Sequence, residues 1–394
     1  MIFSNAMDAV KPSDIREILK LTENPEIISF AGGVPDPSLF PLDEIKKVTE
    51  KVFAEDGRRS LQYNSTEGYL PLRNKITLLM KARGFQVSAN NVLITSGSQQ
   101  GIDFSGKIFL NKGDAVVCES PTYSGAVNAF VSYQPEFIEI TTDDQGMNME
   151  ELEKALQNKK NIRMIYVVPD FQNPTGRTWS IERRKKLVEL ANQYDIPIIE
   201  DDPYAVLRFQ GEIPPAIKSF DNQGKVIYLG TFSKTLCPGL RIGWVAAEGQ
   251  AFRKYVLVKQ AADIHSNSVA QREIDGFLEQ YSLDEHIAKI RSVYKRRRDV
   301  MSSSIKKYFP ENCIFTFPDG GMFIWAELPA TVNTRELLVE ALKVKVAFIP
   351  GGGFFPNGGR ENCLRLNFSN MPEEKIEEGI KRLGIVLRGI LSVS

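Results

Sequence analysis

Histidine is nearly absent: only His265 and His286 occur in 394 residues. A histidine-rich metal centre and most serine–histidine hydrolytic schemes are therefore poorly supplied. Cysteine is sparse as well. Cys118, Cys237, Cys313 and Cys363 are far apart, with no CxxC pair. That argues against a disulfide framework or a zinc site, so no metal is expected, and it fits a reducing cytoplasmic setting. Charge excess is missing: Lys+Arg and Asp+Glu both total 49, with no basic tract. The balance gives no electrostatic case for a nucleic acid or membrane partner. No apolar run approaches the roughly 18 residues that a membrane span needs. Met1 to Pro12 lacks the charged-then-apolar pattern of a secretory signal. Tandem repeats and low-complexity segments are not evident.

What is present is an ordinary globular composition, 42% apolar and 25% charged, on a chain long enough for about two domains. Seven short apolar runs alternate with helical patterns: Val92–Thr95, Ala115–Cys118, Phe137–Ile140, Met164–Val168, Ile196–Ile199, Val226–Leu229 and Trp244–Ala247. Uninterrupted apolar runs suit strands covered on both faces. The alternation predicts an α/β fold with an open, mostly parallel seven-stranded sheet, and a ligand at the strand C-terminal ends. From about Ser282 the pattern shifts to a long charged helix, short strands and a closing helix. We therefore expect a large domain over 41–285, and a smaller α+β domain formed by 286–394 with an N-terminal arm, 1–40.

Four segments fall at predicted strand ends. Thr231-Phe232-Ser233-Lys234-Thr235 continues through Cys237-Pro238-Gly239-Leu240-Arg241. Its hydroxyls and arginine fork suit a phosphate dianion, and its lysine suits a Schiff base to an aldehyde. One ligand with both groups is pyridoxal phosphate. Thr95-Ser96-Gly97-Ser98-Gln99-Gln100-Gly101 opens a helix, where N–H groups and the dipole favour an anion. A nucleotide reading competes here, because Glu119 ends the next strand where a ribose-binding acid would sit. The glycines, however, do not make GxGxxG. Asn173-Pro174-Thr175-Gly176 is a turn by composition, yet its position would let the Asn173 amide reach a phenolic oxygen. Glu200-Asp201-Asp202-Pro203-Tyr204 places three acids at a strand end, costly to bury without a cationic partner. A pyridinium N–H is such a partner.

Taken together, in this order, the four segments resemble those of the fold-type-I pyridoxal-phosphate-dependent aminotransferases. The branch holding the 2-aminoadipate and kynurenine aminotransferases is the most similar. Phe30-Ala31-Gly32-Gly33, Leu61-Gln62-Tyr63, Gly97-Ser98-Gln99-Gln100 and Cys363-Leu364-Arg365-Leu366-Asn367-Phe368 carry the resemblance to nearly the whole chain. The resemblance implies the following roles. Lys234 carries the cofactor and shuttles protons. Asp201 pairs with the ring nitrogen, and Asn173 and Tyr204 bond the ring oxygen. Ser98, Gln99, Thr231, Ser233 and Arg241 hold the phosphate, and Tyr123 stacks on the ring. Tyr63 reaches the other subunit's site, which implies a homodimer. Arg365, near Gly33 and Asn173, clamps the substrate α-carboxylate. Arg16 stands where the 2-aminoadipate enzymes place an arginine for the distal carboxylate.

The activity implied is ping-pong transfer of an amino group between an L-amino acid (2-aminoadipate, aromatic or branched-chain type) and 2-oxoglutarate. Three alternatives share parts of the pattern: a carbon–sulfur lyase or cyclising synthase on the same cofactor, a MocR-type regulator that binds the cofactor, and a nicotinamide dehydrogenase. Gly351-Gly352-Gly353-Phe354-Phe355 reads either as a flexible apolar wall or as a structural loop beside two core phenylalanines.

Overall fold

The computed structural model describes residues 1, 3–8, 10, 18 and 24–393. Strands in chain order are β1 (Ile28–Ser29), β2 (Val92–Thr95), β3 (Ala115–Ser120), β4 (Glu136–Asp143), β5 (Gly146–Met147), β6 (Ile162–Val167) and β7 (Ile198–Asp202), then β8 (Val226–Thr231), β9 (Gly243–Ala246), β10 (Ile314–Phe315), β11 (Phe323–Glu327), β12 (Val346–Ala347), β13 (Ile349–Pro350) and β14 (Cys363–Asn367). The seven apolar runs all become strands of one sheet, ordered β2-β9-β8-β7-β6-β3-β4-β5. An eighth member, the two-residue β5, closes a hairpin on β4. It is too short to leave a periodic trace in the sequence. Pairings from β8 to β4 are parallel, and β9 runs antiparallel to both its neighbours. Every residue of β2, β7, β8 and β9 is buried, as apolar strands between two helical layers require.

A four-stranded antiparallel sheet, β10-β11-β14-β13, forms from residues after 313. Its neighbour is a two-stranded parallel pair in which Ile28 opposes Val346 and Ser29 opposes Ala347. The long charged helix expected past Ser282 is Leu283–Tyr308 and the closing helix is Glu373–Val393; Leu42–Ser60, Leu70–Ala82, Ile181–Tyr194 and Thr334–Lys343 are further helices. Gly249–Ala262 and Ser268–Gln280 escape a periodicity search for a physical reason. They bury Lys259, and Gln271, Arg272, Glu273 and Asp275, so their inward faces look polar. No helix among the described residues is long and apolar enough to cross a membrane.

Candidate active site

Four strand ends converge at the C-terminal edge of the parallel strands. Lys234 lies three residues past β8, half-buried, and its Nζ donates to Gly33 O at 2.8 Å. Burial is the main cause that lowers its pKa to about 8, and the positive charges of Arg365 and Arg241 lower it further. A lysine so placed offers a far larger neutral fraction near physiological pH than a solvated lysine does, and the neutral form is what a nucleophilic or basic amine requires.

The three acids of the β7 end are not equivalent. Glu200 accepts from the backbone N–H groups of Ile217 (2.7 Å) and Lys218 (2.8 Å). Asp202 accepts from Arg83 Nε and from the Tyr228 hydroxyl, both at 2.8 Å. Asp201 accepts from the Tyr166 hydroxyl, 2.9 Å from Oδ2, and the Ser98 hydroxyl also acts on the carboxylate; its buried Oδ1 has no partner at hydrogen-bond distance among the described residues. Its pKa is raised to about 7: burial is the largest cause, the Tyr166 hydroxyl opposes it, and the Asp202 charge adds to it. The protein thus satisfies two of the three carboxylates itself, and leaves one oxygen of Asp201 for a donor from outside the chain.

Arg365, on β14, is buried and lies over the rings of Phe323 (4.4 Å to the centroid) and Phe354 (5.3 Å). Nη1 donates to Asn173 Oδ1 at 2.8 Å and Nη2 to Ala31 O at 2.6 Å, while Nε is buried without a partner among the described residues. Burial lowers its pKa to about 10, partly offset by Tyr204 and Tyr123. It stays cationic at neutral pH, with N–H capacity in reserve. Gly33 lies against this group; a Cβ there would stand 3.2 Å from Phe323 Cζ and 3.8 Å from Arg365 Nη1. Tyr204 is buried edge-on to Phe323. Its hydroxyl is held weakly acidic by burial, against a hydrogen bond with Asn173 and the charge of Arg365.

The anion-binding residues form a second cluster. The Thr231 hydroxyl meets Ser233 Oγ at 2.9 Å, and Arg241 Nη1 lies 3.4 Å from the same Ser233 oxygen. Arg241 Nη2 donates to Ser96 O at 3.1 Å. Gly97 adopts φ +77°, and an added Cβ would fall 2.4 Å from Arg241 Nη2, so only glycine fits this turn. Ser98 starts the helix Ser98–Phe109, whose first N–H groups have no intrahelical acceptor. The Gln99 side chain is already engaged, donating to Gly125 O at 2.7 Å and accepting from the Tyr123 hydroxyl at 3.3 Å.

One expected residue among those described, Tyr63, stands outside this cluster. Arg16 lies outside the described residues. Tyr63 is 77% exposed, its ring edge-on to His265 at 5.9 Å. Glu119, the candidate ribose acid, is buried and accepts from Val168 N–H (2.9 Å) and Trp179 Nε1 (2.8 Å), so it is a structural carboxylate. The Gly351–Gly353 turn is no flexible wall: Phe354 and Phe355 are buried, and Phe354 O accepts from Thr122 N–H at 2.9 Å.

Sequence reasoning missed Tyr166 and Arg83. Arg83 caps an ordinary-looking helix, yet its Nη2 reaches Asp170 and its Nε reaches Asp202, both at 2.8 Å. Asp170 and Asp202, acids at or just past strand ends, were the available signal; nothing near Arg83 in the sequence names it as their partner.

The family model for aminotransferase class I and II matches residues 25–383. The chain belongs to this family. It is an enzyme of the aminotransferase type. The chain is 45% identical over 391 residues to aromatic-amino-acid aminotransferase 1 of Thermococcus litoralis, covering 98% of this chain and 94% of the relative. It is 39% identical to the 2-aminoadipate transaminase of Thermus thermophilus, covering 99% and 98%. Among solved structures, a kynurenine aminotransferase of Pyrococcus horikoshii, captured with PMP, kynurenine and its product, superposes with a TM-score of 0.95 at 42% identity, covering 99% and 98% of the two chains. These relatives share the fold class expected from the sequence.

Proposed function

We propose that the protein exchanges an amino group between an L-amino acid and 2-oxoglutarate, with pyridoxal phosphate as cofactor. The observation that carries this reading is the orphaned Asp201 Oδ1, buried at the same strand ends as a lysine of lowered pKa. The fit extends to the anion cluster of Ser98, Thr231, Ser233 and Arg241. When bound, the cofactor supplies an aldehyde that takes up the substrate amine and a ring that spreads the charge left at Cα.

The chain's own residues do the rest. Asp201 keeps the ring nitrogen protonated, since a carboxylate beside it favours the charged form. Asn173 and Tyr204 hold the ring oxygen, and Tyr123 covers the ring face. Ser98, Gln99 (through its backbone), Thr231, Ser233 and Arg241 anchor the phosphate. Arg365 grips the α-carboxylate, flanked by Gly33 and Asn173, and so fixes which Cα bond faces Lys234. Lys234 Nζ would hold the cofactor at its aldehyde and, once the substrate amine takes its place there, would be the free amine that moves the substrate Cα proton. The 2-oxo acid leaves before the second substrate enters, so the kinetics are ping-pong.

The enzyme works as a homodimer, with Tyr63 of each subunit completing the other's site; the exposure of Tyr63 supports this. The large unit spans 41–285, and the smaller joins 1–40 to 286–394, supported by the β1–β12 pairing. Donors are of the 2-aminoadipate, aromatic or branched-chain type, with Arg16 reading a distal carboxylate. The test is a donor panel of 2-aminoadipate, kynurenine, phenylalanine and leucine against 2-oxoglutarate, on the parent and Arg16→Ala. Glutamate should form, and 2-aminoadipate should lose more than leucine in the variant. No glutamate from any donor would refute the activity; equal losses would remove Arg16 from specificity.

A further inference from the structure

Lys259 has a side chain with no solvent exposure. It is the kind of buried cation that proteins keep only when its donors are matched. Nζ donates to Gln100 Oε1, Asp263 Oδ2 and Ser266 Oγ, each at 2.8 Å, which uses all three N–H bonds. Gln100 then passes the constraint on. The same Oε1 accepts from Ser96 N–H at 3.0 Å, and Nε2 donates to Asp263 Oδ2 at 2.9 Å. The Ser96 residue is therefore gripped from two sides: its N–H by Gln100, its carbonyl by Arg241 Nη2 at 3.1 Å. A Cβ on Gly97 would stand 2.4 Å from Arg241 Nη2 and one on Gly243 2.7 Å from the Gly97–Ser98 backbone, so the turn packs directly against Arg241.

Ser266 ties the node to the strand behind the turn by donating to Ile94 O at 3.3 Å, and Ser266 O in turn accepts from Gln271 Nε2 at 3.0 Å. Between Asp263 and Ser266 the chain turns through Ile264 at φ +67°, a conformation a β-branched residue seldom adopts, which shows how firmly the surroundings hold this loop.

We propose that Lys259 is a positioning residue for the phosphate site: through Gln100 it sets the Ser96–Ser98 turn, and with it Arg241, in the geometry that receives the dianion. This rests on the cofactor reading given above. Lys259 touches neither ring nor substrate, so its removal selectively weakens the phosphate end.

The test compares two vitamers that differ in the phosphate alone. Pyridoxal phosphate and pyridoxal are titrated into cofactor-stripped parent, Lys259→Met and Gln100→Leu proteins, following the visible absorption of the lysine-bound aldehyde. Both variants should bind pyridoxal phosphate about 10- to 100-fold more weakly and pyridoxal within about 3-fold of the parent. Gln100→Leu removes no charge and keeps Lys259 paired with Asp263 and Ser266. It carries the test alone if Lys259→Met fails to fold. Equal weakening of the two vitamers would reduce Lys259 to general structural support, and an unchanged phosphate-dependent affinity in Gln100→Leu would refute the route. A parent protein that takes up neither vitamer overturns the cofactor reading, and this inference with it.

Discussion

Arg365 Nη1 donates to Asn173 Oδ1 at 2.8 Å, and this bond joins a strand of the small antiparallel sheet to the loop that follows β6 of the large one. Neither partner can drift. The guanidinium lies over the Phe323 and Phe354 rings, and Ala31 O holds Nη2. A carboxylate bound here meets a planar donor set fixed before it arrives.

Replacing Arg365 by lysine keeps the charge and loses the fork. Steady-state kinetics should show kcat/KM for the amino acid falling roughly 10- to 100-fold, while the affinity for pyridoxal phosphate is unchanged. A variant with parental kcat/KM would remove Arg365 from substrate binding.

Asp201→Asn should separate function from stability. Burial raises the folded-state pKa of Asp201 from 3.8 to about 7. The folded protein then holds this proton more tightly than the unfolded chain does. The cost of ionising it is absent below the unfolded value and complete above about 7. Cofactor-free Asp201→Asn should therefore melt above the parent at about pH 8, with the advantage shrinking as pH falls toward 5. Turnover should drop roughly a hundred- to a thousand-fold, because the ring nitrogen loses its carboxylate. A variant that melts lower at alkaline pH contradicts the assignment of Asp201 as the unsatisfied acid.

Lys234 gives a pH test of its own. Its pKa is lowered from 10.5 to about 8, chiefly by burial. The neutral, reactive amine then appears as pH rises through about 8, not through the ordinary lysine range near 10.4. The rate at which pyridoxal condenses with cofactor-free protein should reach half its plateau near pH 8. A midpoint above about 10 would mean that the amine is solvated and unperturbed.

Arg83 links Asp170, three residues before Asn173, to Asp202, the neighbour of Asp201. Asp170 keeps Arg184 as a second partner at 2.8 Å; among the described residues Asp202 keeps a tyrosine hydroxyl and a backbone N–H. Arg83→Met should therefore destabilise the protein by about 3–5 kcal/mol, the cost of leaving a buried carboxylate unpaired. In the Arg83→Met, Asp202→Asn pair most of that loss should return. Denaturant melts of the four proteins decide it, and strictly additive losses would deny the coupling.

Much of this was legible in the sequence. The seven apolar runs became strands because full burial leaves an unmistakable trace, and Lys234, Asp201, Asn173 and Arg241 stand at strand ends where an open sheet exposes its ligands. What stayed hidden is polar and long-range. Arg83 and Lys259 look like solvated charges on helix surfaces, and only the fold shows them buried against acids and amides distant in sequence. The helix Ser268–Gln280 was masked by the same effect, since its buried face carries charged and amide groups. The acid triplet at 200–202 was read as a unit; the backbone of Ile217 and Lys218 claims Glu200, Arg83 claims Asp202, and one oxygen remains.

The most direct test of the central claim is chemical. Purified protein is saturated with pyridoxal phosphate, reduced with borohydride, digested, and the modified peptide located by mass spectrometry. The pyridoxyl group should sit on Lys234 and nowhere else, and Lys234→Ala should take up none. A stoichiometric label on a different lysine, or undiminished amino transfer by Lys234→Ala, would contradict the account.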